Sequence, residues 1–187
     1  NQGMGKDKLM AKAGMTRFGK WRKLKRIMER YDRNLQKNAT VALYRAGLEL
    51  EGLIKNRILD GKDMAPLHPF TVAMKGSSKP LIDQGDLLGS VGFRFVELDT
   101  VFVGVHRKAA DGTDIAAIHE REEGTRIKVT PKMRAFLHAH GLHLKATTTE
   151  IFIPGRPFVK PAYEDFKEKG IPKKLFVKAV EKTLKGK

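Results

Sequence analysis

Cysteine is absent from this 187-residue chain, so neither a disulfide framework nor a thiolate metal site is possible, and a reducing compartment is compatible. Long apolar runs are missing too. Nothing approaches the roughly 18 consecutive apolar residues that span a bilayer, and the basic beginning of the chain lacks the apolar core of a signal peptide. The expectation is a soluble, unexported protein with no membrane partner. No G-x-S-x-G occurs, and "LLGSVGF" lacks the strand, elbow and helix order that exposes a catalytic serine. The stretch "KGSSKP" has one glycine and no following helix, so it reads as a flexible loop rather than a phosphate cradle. Aromatic residues are few, with 10 Phe, 3 Tyr and 1 Trp mostly at core-like spacing, which favours plain phosphate attraction over base stacking.

Histidine is the remaining chemical suspect. His138, His140 and His143 form H-x-H-x-x-H, but His138 and His140 lie two apart at a helix end and point to different faces. His119 sits beside Glu120, Glu122 and Glu123, yet "HERE" is not the H-E-x-x-H of zinc hydrolases. His68 and His106 have no acidic neighbour in sequence. Glu164 and Asp165 are adjacent on a helix surface and do not face one another across a substrate. The expectation is a protein without metal, cofactor or catalysis.

Basic charge is present in excess, and unevenly. The net charge is +16; residues 1–37 carry 12 Lys or Arg against 3 acids, residues 156–187 carry 10 against 4, and the residues between carry 15 against 14. A nearly neutral body with two basic ends points to a polyanionic partner, either nucleic acid or an acidic protein surface.

The N-terminal basic region is patterned. Residues 1–15 show no steady period and are expected to form a flexible basic segment, followed by one domain over 16–187. From Thr16, an expected N-cap, Trp21, Leu24, Met28, Tyr31 and Leu35 recur at helical spacing. Two positions further on stand Lys23, Arg26, Arg30, Arg33 and Lys37, about 200° around the helix. The apolar stripe would dock the helix while the basic stripe faces DNA or an acidic partner. A second helical pattern, 38–59, places Leu43, Gly47, Leu50, Ile54 and Ile58 on one face, with Gly61 as its stop. One bent rod and a hairpin both fit.

Residues 60–80 read as a long loop. A short helical turn through Leu88 follows, then a β-hairpin in which Val91, Phe93 and Phe95 alternate against Val101, Val103 and Val105. A helix over Thr113–Glu123, a strand at Ile127 and Val129, a helix over Pro131–His140, a strand over Thr149–Ile153 and helices near Pro161 and Pro172 complete the chain. This order predicts an α+β fold: a small antiparallel sheet with a hairpin, packed against a long N-terminal helix pair and C-terminal helices.

The segment Ile151–Phe158, "IFIPGRPF", ends a strand between two prolines. Pro157 holds Arg156 extended, and Gly155 permits the turn before it, so a guanidinium fork is presented from a stiff corner. A salt bridge inside its own fold and a partner contact are both open readings.

Three ordered pieces resemble the virion morphogenesis or tail-completion proteins of tailed bacteriophages, the Mu-like neck family. They are "LIDQGDLLGSV" at 81–91, similar to L-x-x-[ST]-G-x-L-x-x-S-[IV]; "VGV" with "IAAIHEREEG" within 103–124, similar to a strand followed by Y-A-x-I-H-x-x-G; and "IFIPGRPF", similar to I-P-A-R-P-F-L. Gln84 stands where Thr or Ser is usual, Asp86 where a basic residue is common, and "EREE" lengthens the gap from His119 to Gly124. The resemblance implies a structural subunit of the neck or tail end, expected in the virion and, during assembly, in the host cytoplasm. It would form a homohexameric ring against portal-side or tail-tube proteins, with double-stranded DNA in the channel. It also implies interface roles for Arg156, Pro157, Phe158, His119 and Asp86, with Arg156 fixing the strand end and the next helix or clasping an acidic group on an adjacent subunit. The alternative is a non-specific nucleic-acid-binding protein using the basic helix 16–37; a nuclease built on the histidines ranks below both.

Overall fold

The structure, a computed structural model, describes residues 21–108, 112 and 114–186. The expected Thr16 cap and flexible segment 1–15 lie outside the described residues. The chain forms an α+β fold in which a two-stranded antiparallel hairpin and two C-terminal helices pack on one long N-terminal helix, with a second small antiparallel ladder beside them. That helix, α1 (Trp21–Asp60), is a single rod of 40 residues, roughly 60 Å long at 1.5 Å per residue, so of the two open readings, rod and hairpin, the chain takes the rod. No Gly-Pro break or capping residue interrupts it, and its last turn closes at Gly61, whose positive φ of 60° suits glycine.

The loop expected over 60–80 contains a short helix, α2 (Pro69–Lys75), capped by His68 Nδ1 accepting from the Phe70 N–H at 3.2 Å and closed at Gly76. Next come α3 (Asp86–Gly89), β1 (Val91–Glu97) and β2 (Thr100–Val105). β1 and β2 pair antiparallel with Val91 opposite Val105 and Phe93 opposite Val103. Then α4 (Ile115–Glu120) is capped by Asp114, shorter than expected because Arg121 is already extended. β3 (Thr125–Lys128) and β4 (Glu150–Ile153), joined through α5 (Pro131–Ala139), form a second antiparallel ladder with Ile127 opposite Ile151. Finally α6 (Val159–Glu168) and α7 (Ile171–Leu184) are separated by Gly170.

The core lies where the 3.6-residue pattern of α1 meets β1 and α6. Leu50, Ile54 and Ile58 pack with Val91, Phe158, Ala162 and Phe166. Ile54, Ile58 and Phe158 have no exposed surface, each contributing about 1.5–3 kcal/mol by burial. Gly47 of α1 leaves room for the Phe93 ring of β1, which Tyr44 meets edge-on with ring centres 5.2 Å apart. The outer half of the hairpin leaves the body: Phe95, Val96, Leu98 and Phe102 are exposed, so the inward alternation expected through Phe95 stops short of it.

α7 runs antiparallel along α1 and ends beside Asn38, whose Nδ2 donates to Thr183 Oγ1 at 3.0 Å. Thr183 Oγ1 in turn donates to the Ala179 carbonyl at 2.8 Å. Residues 21–37 of α1 therefore continue past the end of α7 by roughly 25 Å. No helix among the described residues is long and apolar enough to cross a membrane.

Candidate functional site

β4 stops at Ile153, and the Pro154–Pro157 corner folds back against α4 and its following turn. The Arg156 N–H donates to the His119 carbonyl at 2.8 Å. A β-carbon on Gly155 would overlap the Arg121 carbonyl oxygen, so this glycine is required for space and not for a left-handed backbone. The Arg156 side chain turns inward and is only 6% exposed. Its Nε donates to the Ala65 carbonyl at 2.8 Å and its Nη2 to the Pro66 carbonyl at 3.0 Å, tying the strand end to the loop that leads into α2. No carboxylate reaches it among the described residues, so the intramolecular salt bridge is replaced by two neutral carbonyls. Burial pushes the Arg156 guanidinium below its ordinary value.

Beside the corner, Glu120 does what the sequence does not signal. Its carboxylate accepts from the N–H groups of Phe158 and Val159, both at 2.8 Å, and of Lys160 at 3.1 Å. These are orphan donors at the start of α6, a helix with no acidic residue in its first turn and no side-chain cap of its own. A carboxylate 38 residues upstream thus joins α4 to α6.

A wide-mouthed cleft of about 480 Å³ opens between α2 and the 81–83 loop, with Arg156 and His119 at its base and Lys75 and Asp83 on its walls. His119 Nδ1 is buried without a hydrogen-bond partner. Burial first, and then Arg156, hold this imidazole below its ordinary range against the opposing effect of Glu120, which keeps it neutral near pH 7. Burial also lowers Lys75, with Asp83 opposing and Arg156 adding to the effect. No carboxylate is hydrogen-bonded to His119 Nδ1 among the described residues. What converges is cationic and donor-rich.

The expected interface residues separate on folding. Phe158 is wholly buried in the core of this chain, where its side chain packs. Arg156 is buried, and Pro157 and His119 are half-buried. Asp86 is exposed and pairs with Arg107 Nη1 at 2.6 Å in a neighbouring cleft. Lys75 and Asp83 are the cleft residues that sequence reasoning missed, because chain folding alone places them near Arg156. The three histidines of 138–143 make local contacts: the His138 and His143 rings meet edge-on at 4.4 Å, and His140 Nδ1 lies 2.8 Å from the Phe136 carbonyl. Among the described residues no group of three or more His, Asp and Glu is placed to hold a metal ion.

The second candidate surface is the free end of α1. Lys23, Arg26, Arg30, Arg33 and Lys37 are all exposed, and none forms an ion pair among the described residues. The opposite stripe is not docked. Leu24, Ile27, Met28 and Tyr31 are exposed, Met28 by 63%, and only Leu35, near the end of α7, is half-buried. The expected docking stripe is left open by the described residues, since α7 ends before it can cover residues 24–31. Comparison with models of protein families, with curated proteins and with solved structures finds no match.

Proposed function

We propose that this chain is a non-catalytic assembly subunit of a tailed-bacteriophage virion, acting in a ring at the neck or tail end. The observation that carries the reading is the far end of α1, a helix with an apolar face and a basic face that the described residues both leave exposed. An apolar stripe of this kind gains burial energy by packing against a partner. The exposed hairpin residues Phe95, Val96, Leu98 and Phe102 supply a second surface of the same character. Two uncovered apolar surfaces on one subunit suit head-to-tail contacts, which close into rings when the rotation permits. The resemblance of residues 81–158 to the neck family supports the same reading.

The rival reading, a non-specific nucleic-acid clamp, is favoured by the unpaired basic stripe alone. Oligomeric state separates them. Leu24→Ser with Met28→Ser should leave the helical circular dichroism and the urea midpoint unchanged but reduce self-association, measured by sedimentation velocity, by about tenfold or more, the scale of losing two buried apolar side chains. A wild-type protein that remains monomeric at high concentration, and in the presence of virion components from the same phage, would overturn the ring.

A further inference from the structure

The cleft beneath α2 has an electrostatic imbalance that the assembly reading does not use. Arg156 is almost fully buried, yet its only acceptors among the described residues are two neutral carbonyls. A buried guanidinium is costly without a counter-charge, and neutral acceptors offset only part of that cost. Two of its nitrogens are used, which leaves Nη1 without a partner among the described residues. Lys75 lines the same cleft and spends one N–H on the Lys79 carbonyl at 2.6 Å. His119, with Nδ1 sealed in the protein, has Nε2 as the ring nitrogen left to meet the cleft.

We infer that this cleft binds a carboxylate, presented as the side chain of an Asp or Glu on another protein chain, with Arg156, Lys75 and His119 as its donors. The charges select the class. Lys75 and Arg156 against Asp83 leave one net positive charge, which a monoanion neutralises; a phosphate dianion gains at most twice the attraction while its desolvation cost rises as the square of its charge. The mouth selects the source. Small-molecule sites enclose most of their ligand, but this cleft is wide, and Leu67 and Met74 on its wall suit the methylene stem of a side chain held from outside. α2, which forms that wall, contains no buried residue, so it can adjust to an incoming group at little packing cost.

The test is a titration followed by the Arg156 Nε and His119 ring resonances, at constant ionic strength, with sodium propionate as the mimic of a glutamate side chain. Propionate should produce saturable shifts that chloride does not. Lys75→Met should weaken binding by about tenfold or more, the scale of one charge-assisted hydrogen bond. Asp83→Asn should tighten it, because a like charge leaves the wall. An acetylated, amidated tetrapeptide with one internal Glu should bind more tightly than propionate. Shifts that track ionic strength alone, or an unchanged affinity in Lys75→Met, would overturn the site. Tighter binding of inorganic phosphate would overturn the ligand class, and a peptide no better than propionate would overturn the protein source. Arg156→Ala is unsuitable alone because it also releases the Ala65 and Pro66 carbonyls, and for that reason the two wall variants carry the test.

Discussion

Glu120 is the residue on which the corner depends most. Three backbone N–H groups at the start of α6 converge on its carboxylate, and the first residues of that helix include the fully buried Phe158. Glu120→Ala strips a charged acceptor from three donors at once and should cost about 1–3 kcal/mol in urea unfolding. Glu120→Gln keeps one accepting oxygen and should recover part of the loss. An alanine variant as stable as the parent would mean that water caps α6 equally well. Arg156 is similar in kind: its burial among carbonyls makes it a tether between the strand end and the loop before α2, whatever else it contacts.

At the scale of elements, α1 serves two purposes along one rod. Its second half is a core helix through Leu50, Ile54 and Ile58, and its first half is an uncovered arm. The boundary is the Asn38–Thr183 pair, a buried polar contact between α1 and the end of α7. Polar groups at such a place set register, since a slip of one turn would strand the Asn38 amide beside apolar atoms. Thr183→Val preserves shape but removes the acceptor, and should lower stability by about 1–3 kcal/mol. Thr183→Ser should retain most of the parent stability. Equal stability of all three, measured by thermal unfolding, would remove the pair from this role.

For the whole molecule, charge decides what the ends meet. The body is nearly neutral, while the arm shows a stripe of five exposed basic residues that form no ion pair among the described residues. Attraction to DNA through such a stripe is sequence-independent and driven by counterion release, so it should fall on the order of tenfold or more between 50 and 200 mM salt. Arg26→Glu with Arg30→Glu should abolish it without altering the fold, because both side chains are solvent-exposed. On the ring reading the monomer binds weakly and assembly strengthens binding, since several stripes then act together. Fluorescence anisotropy with monomer and assembled protein checks this. Equal affinity for both forms would favour the clamp, and sequence-selective binding would contradict both accounts of the stripe.

Periodicity by itself determined much of this protein. The 3.6-residue spacing marked Leu50, Ile54 and Ile58 as a buried face, alternation marked the β1–β2 hairpin, and proline and glycine marked the starts of α5 and α7 and the break between α6 and α7. These signals are local, and the chain carries them without reference to its neighbours. Pattern cannot report whether a face finds a partner. The stripe Leu24–Tyr31 reads as a docking surface in sequence, yet it is uncovered because α7 is too short to reach it. The proline-locked Arg156 was visible as a special corner, but its acceptors lie about 90 residues away in sequence, and Glu120, Lys75 and Asp83 joined it through chain folding alone. Tertiary structure decided those contacts because hydrogen-bond geometry and burial depend on distance in space, which residue type and spacing do not encode.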